Sequence, residues 1–251
     1  MIRRIDALSE RALFLAAALD IDGKQRLARW LYQFGTVPRN PEVERNFGYG
    51  DDAMGVLGLT PGGAARVLLE GSYEVTTFPG WLSFTRDSEP VVDQAAFKLY
   101  VSPNPTALAT AFPVIADVFR QLNVRSFKVG RGIEGLLRPD KLVAYFDDRD
   151  TLNRVWQTLG QRLAGCPAQP VPFTAGTDGQ GLLSWASDPP LGSDGLSWRA
   201  WITRRLAEGM ACRRAALPSG AVATALRHVA ALGVDCSTWT ISRFPAAPVP
   251  A

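Results

Sequence analysis

The sequence predicts an α+β protein: a mostly antiparallel sheet flanked by helices, with a helical segment at its N-terminus. Three patterns carry that expectation. Apolar residues recur at helical spacing over the first 35 positions and in several later segments. Short runs of period-two alternation recur between residues 66 and 146. The turn pairs Gly71-Ser72 and Pro79-Gly80 separate the first of those runs and mark them as an antiparallel meander.

Taken in order, Ser9–Asp20 spaces Leu13, Phe14, Ala17 and Leu19 as a helix. Asp22 is placed to cap a second helix, with Leu27, Trp30, Leu31 and Phe34 on one side and Gly35 at its end. Thr36–Gly63 is rich in Gly, Pro and Asn and long for a plain connection, so it reads as a functional loop or an ordered edge. Val67-Leu68-Leu69, Tyr73–Thr77 and Trp81–Thr85 are strand candidates, followed by the acidic link Asp87–Pro90. Residues 96–102 form a strand that Pro103-Asn104-Pro105 breaks. Thr106 then caps a helix carrying Leu108, Phe112, Ile115, Phe119 and Leu122, in which Pro113 marks a kink or a later start. Strands are expected at 126–130 and 142–146, and Asp150 caps a helix through Leu152, Val155, Trp156, Leu159 and Leu163 that Gly165 closes. Leu182–Trp185 is a further strand, Ser197 caps a helix opening with Trp198-Arg199, and the helix holding His228 ends at Gly233. Thr238–Ser242 is a last strand. The organisation expected is a helical segment and long loop over 1–63, an α+β body over 64–245 and a flexible tail over 246–251, together one compact unit.

Composition narrows the function. Of 251 residues, 47% are hydrophobic, enough for a packed core, and the net charge is only +3. The basic residues are scattered apart from Arg204-Arg205 and Arg213-Arg214, which argues against a nucleic-acid partner. No apolar run reaches the roughly 18–20 residues that span a bilayer, so no membrane partner is expected. The basic start, Met1–Asp6, leads into an amphipathic stretch with Glu10, Arg11 and Asp20, unlike a secretory signal. Cys166, Cys212 and Cys236 are odd in number and lack a CxxC spacing, which fits structural thiols in a reducing cytoplasm. His228 is the one histidine, in the late turns of a helix, which removes histidine-based zinc sites. No G-x-S-x-G elbow, no G-x-x-x-x-G-K-[ST] loop and no G-x-G-x-x-G turn is present, and three scattered cysteines do not make a zinc site.

Phe97–Ser102 and Ser126–Gly130 each set one lysine, Lys98 and Lys128, in an otherwise mostly apolar run. A lysine is rarely buried without a partner. With Arg138 and Lys141 close behind, the two outline a pocket for an anion. The plainer alternative is a solvent-facing sheet surface, since Lys98 and Tyr100 share a strand face, with Arg138-Pro139-Asp140-Lys141 as a charged turn. Trp198 and Trp201 read as core.

The block Phe97–Phe146 resembles the lyase domain of class III and class IV lanthipeptide synthetases. It also resembles the HopA family of type III effectors, whose relatives act as lyases in class V lanthipeptide and thioamitide biosynthesis. These families are in turn similar to effector phosphothreonine lyases. The matching pieces are the Lys98 strand ending in Val101-Ser102-Pro103, a helix, the strand Ser126-Phe127-Lys128, and Arg138-Pro139-Asp140-Lys141 before a strand and helix. Trp30-Leu31-Tyr32, Phe78-Pro79-Gly80 and Ser197-Trp198-Arg199 fit more loosely, and the resemblance spans about residues 65–210.

The resemblance implies β-elimination of phosphate from phosphoserine or phosphothreonine, with no cofactor, leaving dehydroalanine or dehydrobutyrine. It implies Lys128 as the base, Lys98 as a phosphate ligand, Arg138 and Lys141 as the basic element, and Arg199 or Arg204 as a further phosphate ligand. Tyr100 stands where the effector lyases carry a histidine acid, and cationic neighbours make a phenol a better proton donor. The expected substrate is a phosphorylated ribosomal precursor peptide supplied by a separate kinase, in the cytoplasm. The alternative is a catalytically impaired lyase-like protein that binds a precursor peptide or scaffolds its modification complex. An effector acting on a phosphorylated protein is more remote.

Overall fold

The computed structural model describes residues 6–19, 21–47, 53–86, 96–176, 179–190, 195–211 and 217–241. Residues 1–5, the acidic link 87–90, Cys212, Arg213-Arg214, Ser242 and the tail 246–251 lie outside them. The chain divides into two compact units: one of Gly35–Val171 with Gly176–Trp185, the other of Met1–Phe34, Pro172–Ala175 and Ala186–Ala251.

The first of these units holds most of one seven-stranded sheet. Its strands are β1 (Glu74–Phe78), β2 (Trp81–Thr85), β3 (Phe97–Val101), β4 (Ser126–Gly130), β5 (Leu142–Phe146), β6 (Ala175–Gly176) and β7 (Leu183–Ser187), in the order β1-β2-β4-β5-β3-β7-β6. The pairings β1–β2, β2–β4, β4–β5 and β5–β3 are antiparallel, as the alternation predicts. One face is the core. Leu82, Phe84, Leu99, Val101, Phe127, Val129, Leu142, Ala144 and Phe146 are all buried on it. Phe84 stacks on Phe127 with ring centroids 4.5 Å apart.

Two helices supply the other half of that core. In α5 (Leu108–Gln121), Leu108, Phe112, Ile115 and Phe119 are fully buried, and Pro113 is accommodated inside the helix. In α7 (Arg149–Arg162), Leu152, Val155 and Leu159 are fully buried. The caps differ from expectation. Asp148 rather than Asp150 caps α7, accepting from Thr151 N at 2.7 Å. Asn104 caps a short 3-10 turn, Pro105–Ala107, ahead of α5 where Thr106 was expected to cap. In both places the true cap stands two residues earlier in a polar cluster, and a side-chain oxygen in either position satisfies the rule.

Val67-Leu68-Leu69 is a correction. These residues close a helix, α4 (Ala64–Leu69), not a strand. Ala65 and Leu69 are buried four residues apart while Val67 is 63% exposed, a helical pattern hidden in a short apolar run. The described residues of the long segment before it include α3 (Pro41–Phe47), which Asn40 caps through Val43 N at 2.9 Å, and the buried Leu57 and Leu59.

The second unit is helical. It comprises α1 (Ala7–Ala18), α2 (Lys24–Gln33), α8 (Trp198–Ala211), α9 (Pro218–Ala231) and a small hairpin of β8 (Val234–Asp235) and β9 (Thr240–Ile241). Asp6 caps α1 and also accepts from Trp239 Nε1 at 2.6 Å. Gly23 rather than Asp22 stands at the N-cap of α2. Trp198 and Trp201 are core residues, as read. Gly209 lets α8 and α9 cross closely: a Cβ there would lie 2.7 Å from Ala225 Cα.

Candidate functional site

Successive strand residues point to opposite faces, so the face away from the core follows from the register. It carries Trp81, Ser83 and Thr85 of β2, Ser126 and Lys128 of β4, Val143 and Tyr145 of β5, and Lys98 and Tyr100 of β3. Two rows run across it. Tyr100, Val143, Lys128 and Ser83 form one; Lys98, Tyr145, Ser126 and Thr85 form the next. Lys128 and Tyr100 thus stand two strands apart, about 10 Å at their Cα atoms.

Both lysines are drawn into this face and not out into solvent. Lys98 is 9% exposed and Lys128 is half-buried. Tyr145 lies between them: the Lys98 ammonium is 5.9 Å from its ring centroid and the Lys128 ammonium 5.7 Å. The Lys128 ammonium also sits 4.3 Å over the Trp81 ring, and the Arg138 guanidinium lies 5.2 Å from that same ring. Such contacts favour a cation over an aromatic face.

Arg138 reaches this place because the chain after β4 folds back tightly. Gly130 and Gly135 touch backbone to backbone; a Cβ on Gly130 would meet Gly135 C at 2.5 Å. Between them the chain turns into α6 (Ile133–Leu136), and Gly130 N then pairs with Lys141 O at 2.8 Å. Arg138 grips Asp140 with two parallel bonds, Nε to Oδ1 and Nη2 to Oδ2, both 2.9 Å. Bidentate geometry of this kind equally suits a phosphate.

Burial pushes the Lys128 ammonium down to about 8 from the usual 10.5; the Asp140 carboxylate opposes that, and the Lys98 and Arg138 charges add to it. The three cations and Asp140 therefore act on one another, and Lys128 is a lysine that titrates near neutrality.

Lys141 is placed differently. It is fully buried, and its ammonium donates to Pro103 O at 2.8 Å and Gln169 Oε1 at 2.6 Å. Gln169 Nε2 donates onward to Gly35 O and Leu137 O, and Ser102 Oγ donates to Pro139 O at 2.7 Å. Lys141 thus ties the Arg138–Asp140 turn to the end of β3 from behind. Burial lowers it to about 7, against Asp140.

Arg199 and Arg204 belong to the helical unit. Arg199 is 1% exposed, donates to Tyr32 O at 2.6 Å and stacks 4.7 Å over the Tyr32 ring. Arg204 is exposed and lies 3.6 Å from Glu208. His228 is 3.7 Å from the same carboxylate. Trp81, Tyr145 and Asp140 are the cluster residues that reading the sequence did not single out. Strand parity was the available signal for Trp81 and Tyr145. No group of three or more His, Cys, Asp or Glu able to hold a metal occurs among the described residues. No helix among them is long and apolar enough to cross a membrane.

The architecture is of a defined class, an α+β fold whose antiparallel sheet turns one face to the core and sets cations on the other. Solved structures resemble it in fold. The effector protein from Pseudomonas syringae pv. tomato strain DC3000 matches with a TM-score of 0.58 and 13% identity, over 94% of this chain and 98% of that one. The effector protein from Pseudomonas syringae pv. syringae strain 61 matches with a TM-score of 0.56 and 14% identity, over 95% and 99%. At such identities the likeness is one of fold. The phosphothreonine lyase OspF from Shigella flexneri matches over 48% of this chain and 74% of that one, with a TM-score of 0.38 and 10% identity. No family model matches the chain, and no curated protein matches it.

Proposed function

We propose that the cationic sheet face eliminates phosphate from phosphoserine or phosphothreonine in a peptide. Neutral Lys128 takes the Cα proton, the Cα–Cβ double bond forms, and the Cβ–O bond breaks with its electron pair leaving on phosphate. Lys98 and Arg138 hold the phosphate and stabilise it as it departs; Arg138 exchanges the Asp140 carboxylate for phosphate oxygens of similar spacing. Tyr100, in the same row as Lys128, gives a proton to the leaving oxygen. Lys141 keeps the Arg138–Asp140 turn in register. Arg199 and Arg204 are not needed for any of these steps. The substrate is a ribosomal precursor peptide phosphorylated by a separate kinase, and the product carries dehydroalanine or dehydrobutyrine.

The observation that carries this reading is Lys128: a lysine lowered to about 8 among two other cations, on one face with a tyrosine. A base that must start neutral needs such a place. The test is mass spectrometry of a phosphorylated peptide incubated with the protein. Loss of the elements of phosphoric acid, abolished in Lys128→Ala, is expected. Tight phosphopeptide binding without any change of mass overturns the lyase reading in favour of a binding protein.

A further inference from the structure

We infer that the groove between α2 and α8 docks an acidic, partly apolar stretch of the peptide, well away in sequence from the sheet-face residues. A cavity of about 460 Å³ opens there, within the range of ligand sites. Lys24, Arg29 and Arg204 line it, with Ala28, Leu196 and Tyr32 between them. Lys24 and Arg29 are exposed, and neither has a carboxylate partner among the described residues. Glu208 is the one carboxylate in the lining. It is already held by Arg205 at 2.7 Å, with Arg204 at 3.6 Å and His228 at 3.7 Å. The groove is therefore positive on balance.

Spacing selects the occupant. Lys24 and Arg29 are five residues apart on one helix, about 7–8 Å along its axis, and Arg204 faces them from the other helix. A single small anion cannot span all three. An extended segment alternating carboxylates with apolar side chains can, its carboxylates meeting the cations and its apolar groups resting on Ala28, Leu196 and Tyr32. The wall is firm, because buried Arg199 holds Tyr32 by both its carbonyl and its ring. Lys24 also opens α2, where the positive end of the helix dipole adds to the field.

That this segment belongs to the substrate rests on the lyase reading; that the groove binds an acidic peptide does not. The test is fluorescence anisotropy of the full chain with a labelled, unphosphorylated Glu/Leu peptide and with a Lys/Leu peptide. Saturable, salt-sensitive binding of the Glu/Leu peptide alone is expected, weakened about tenfold or more by Lys24→Glu with Arg29→Glu. The charge-matched pair Arg154→Glu with Arg227→Glu, both exposed on other helices, should bind as the parent does. Circular dichroism checks that each variant folds. Equal loss in the two pairs, no loss in the first pair, or displacement of the peptide by inorganic phosphate as readily as by unlabelled peptide overturns the proposal. Because no turnover is read, failure here leaves the lyase reading standing, and failure of elimination leaves this result intact.

Discussion

The charge on Lys128 should set the acid limb of the pH–rate profile, and Asp140 should move it. A lysine at its ordinary 10.5 is neutral in only about one molecule in 3,000 at pH 7, whereas one at about 8 is neutral in roughly one in eleven, some 300-fold more. The profile of kcat/KM, which reports the free enzyme, should therefore rise about tenfold between pH 7 and pH 9 and level off above. The substrate phosphate loses its second proton near pH 6, below that limb. Asp140 raises Lys128 and Lys98 lowers it. Asp140→Asn should then shift the limb to lower pH, and Lys98→Met should shift it to higher pH. Initial rates on one phosphopeptide across pH 6–10 measure all three proteins. If turnover is too slow, the Lys128 side chain can be titrated by NMR on selectively labelled protein. A limb that stays put in both variants, or moves in the same direction in both, refutes the idea that these charges act on Lys128.

Lys128→Met should abolish elimination yet stabilise the fold at pH 7. The folded group sits below its unfolded 10.5, so the unfolded chain binds more protons between about pH 8 and 10.5 and stability rises with pH across that window. Lys128 should contribute on the order of 1–3 kcal/mol of that gain by denaturant melts, with Lys141, lowered to about 7, adding its own rise from about pH 7 to 10.5; a Met variant at 128 that keeps the parent's whole gain would assign none of it to Lys128. Lys141→Met should instead destabilise by about 1–3 kcal/mol, because Pro103 O and Gln169 Oε1 lose a buried donor. A raised KM should come with this loss of stability, since the Arg138–Asp140 turn loosens; a raised KM with unaltered melting would make Lys141 a phosphate ligand after all. Tyr100→Phe should lower kcat about 10²-fold if the phenol protonates the leaving oxygen. An unchanged kcat means that phosphate departs on cation stabilisation alone.

How much of this was readable in the chain depended on distance along it. The strands 126–130 and 142–146 are where alternation places them, since five residues with one face on the core leave little freedom of register. The Lys128 and Lys98 positions followed from that. Their shared neighbours did not. Trp81 meets Lys128, and Tyr145 meets both lysines, because the sheet runs β2-β4-β5-β3 rather than in sequence order, and nothing local encodes that shuffle. Lys141 shows the same limit. Beside Arg138 in sequence it looks like one more cation, and only Gln169, 28 positions on, reveals that its ammonium is turned inward. The strand read at Val67–Leu69 failed for a local reason, since three apolar residues carry too little period to tell a helix from a strand.

The cluster also fixes how the two kinetic profiles should differ. Before substrate arrives, burial, with Lys98 and Arg138 adding to it against Asp140, keeps part of the Lys128 population neutral and ready to act. A phosphate dianion seated on those two cations reverses the local field, so the proton affinity of Lys128 rises once the substrate is bound. The amine that enters as a weak base then becomes a stronger one beside the Cα–H it must break, and the ammonium it forms is paired with the departing phosphate. The acid limb of kcat should consequently lie at higher pH than that of kcat/KM, which stays near 8. Both come from the same rate measurements at varied substrate concentration. A kcat limb at or below the kcat/KM limb would place the phosphate too far from Lys128 to be felt, and would remove Lys98 and Arg138 as its holders.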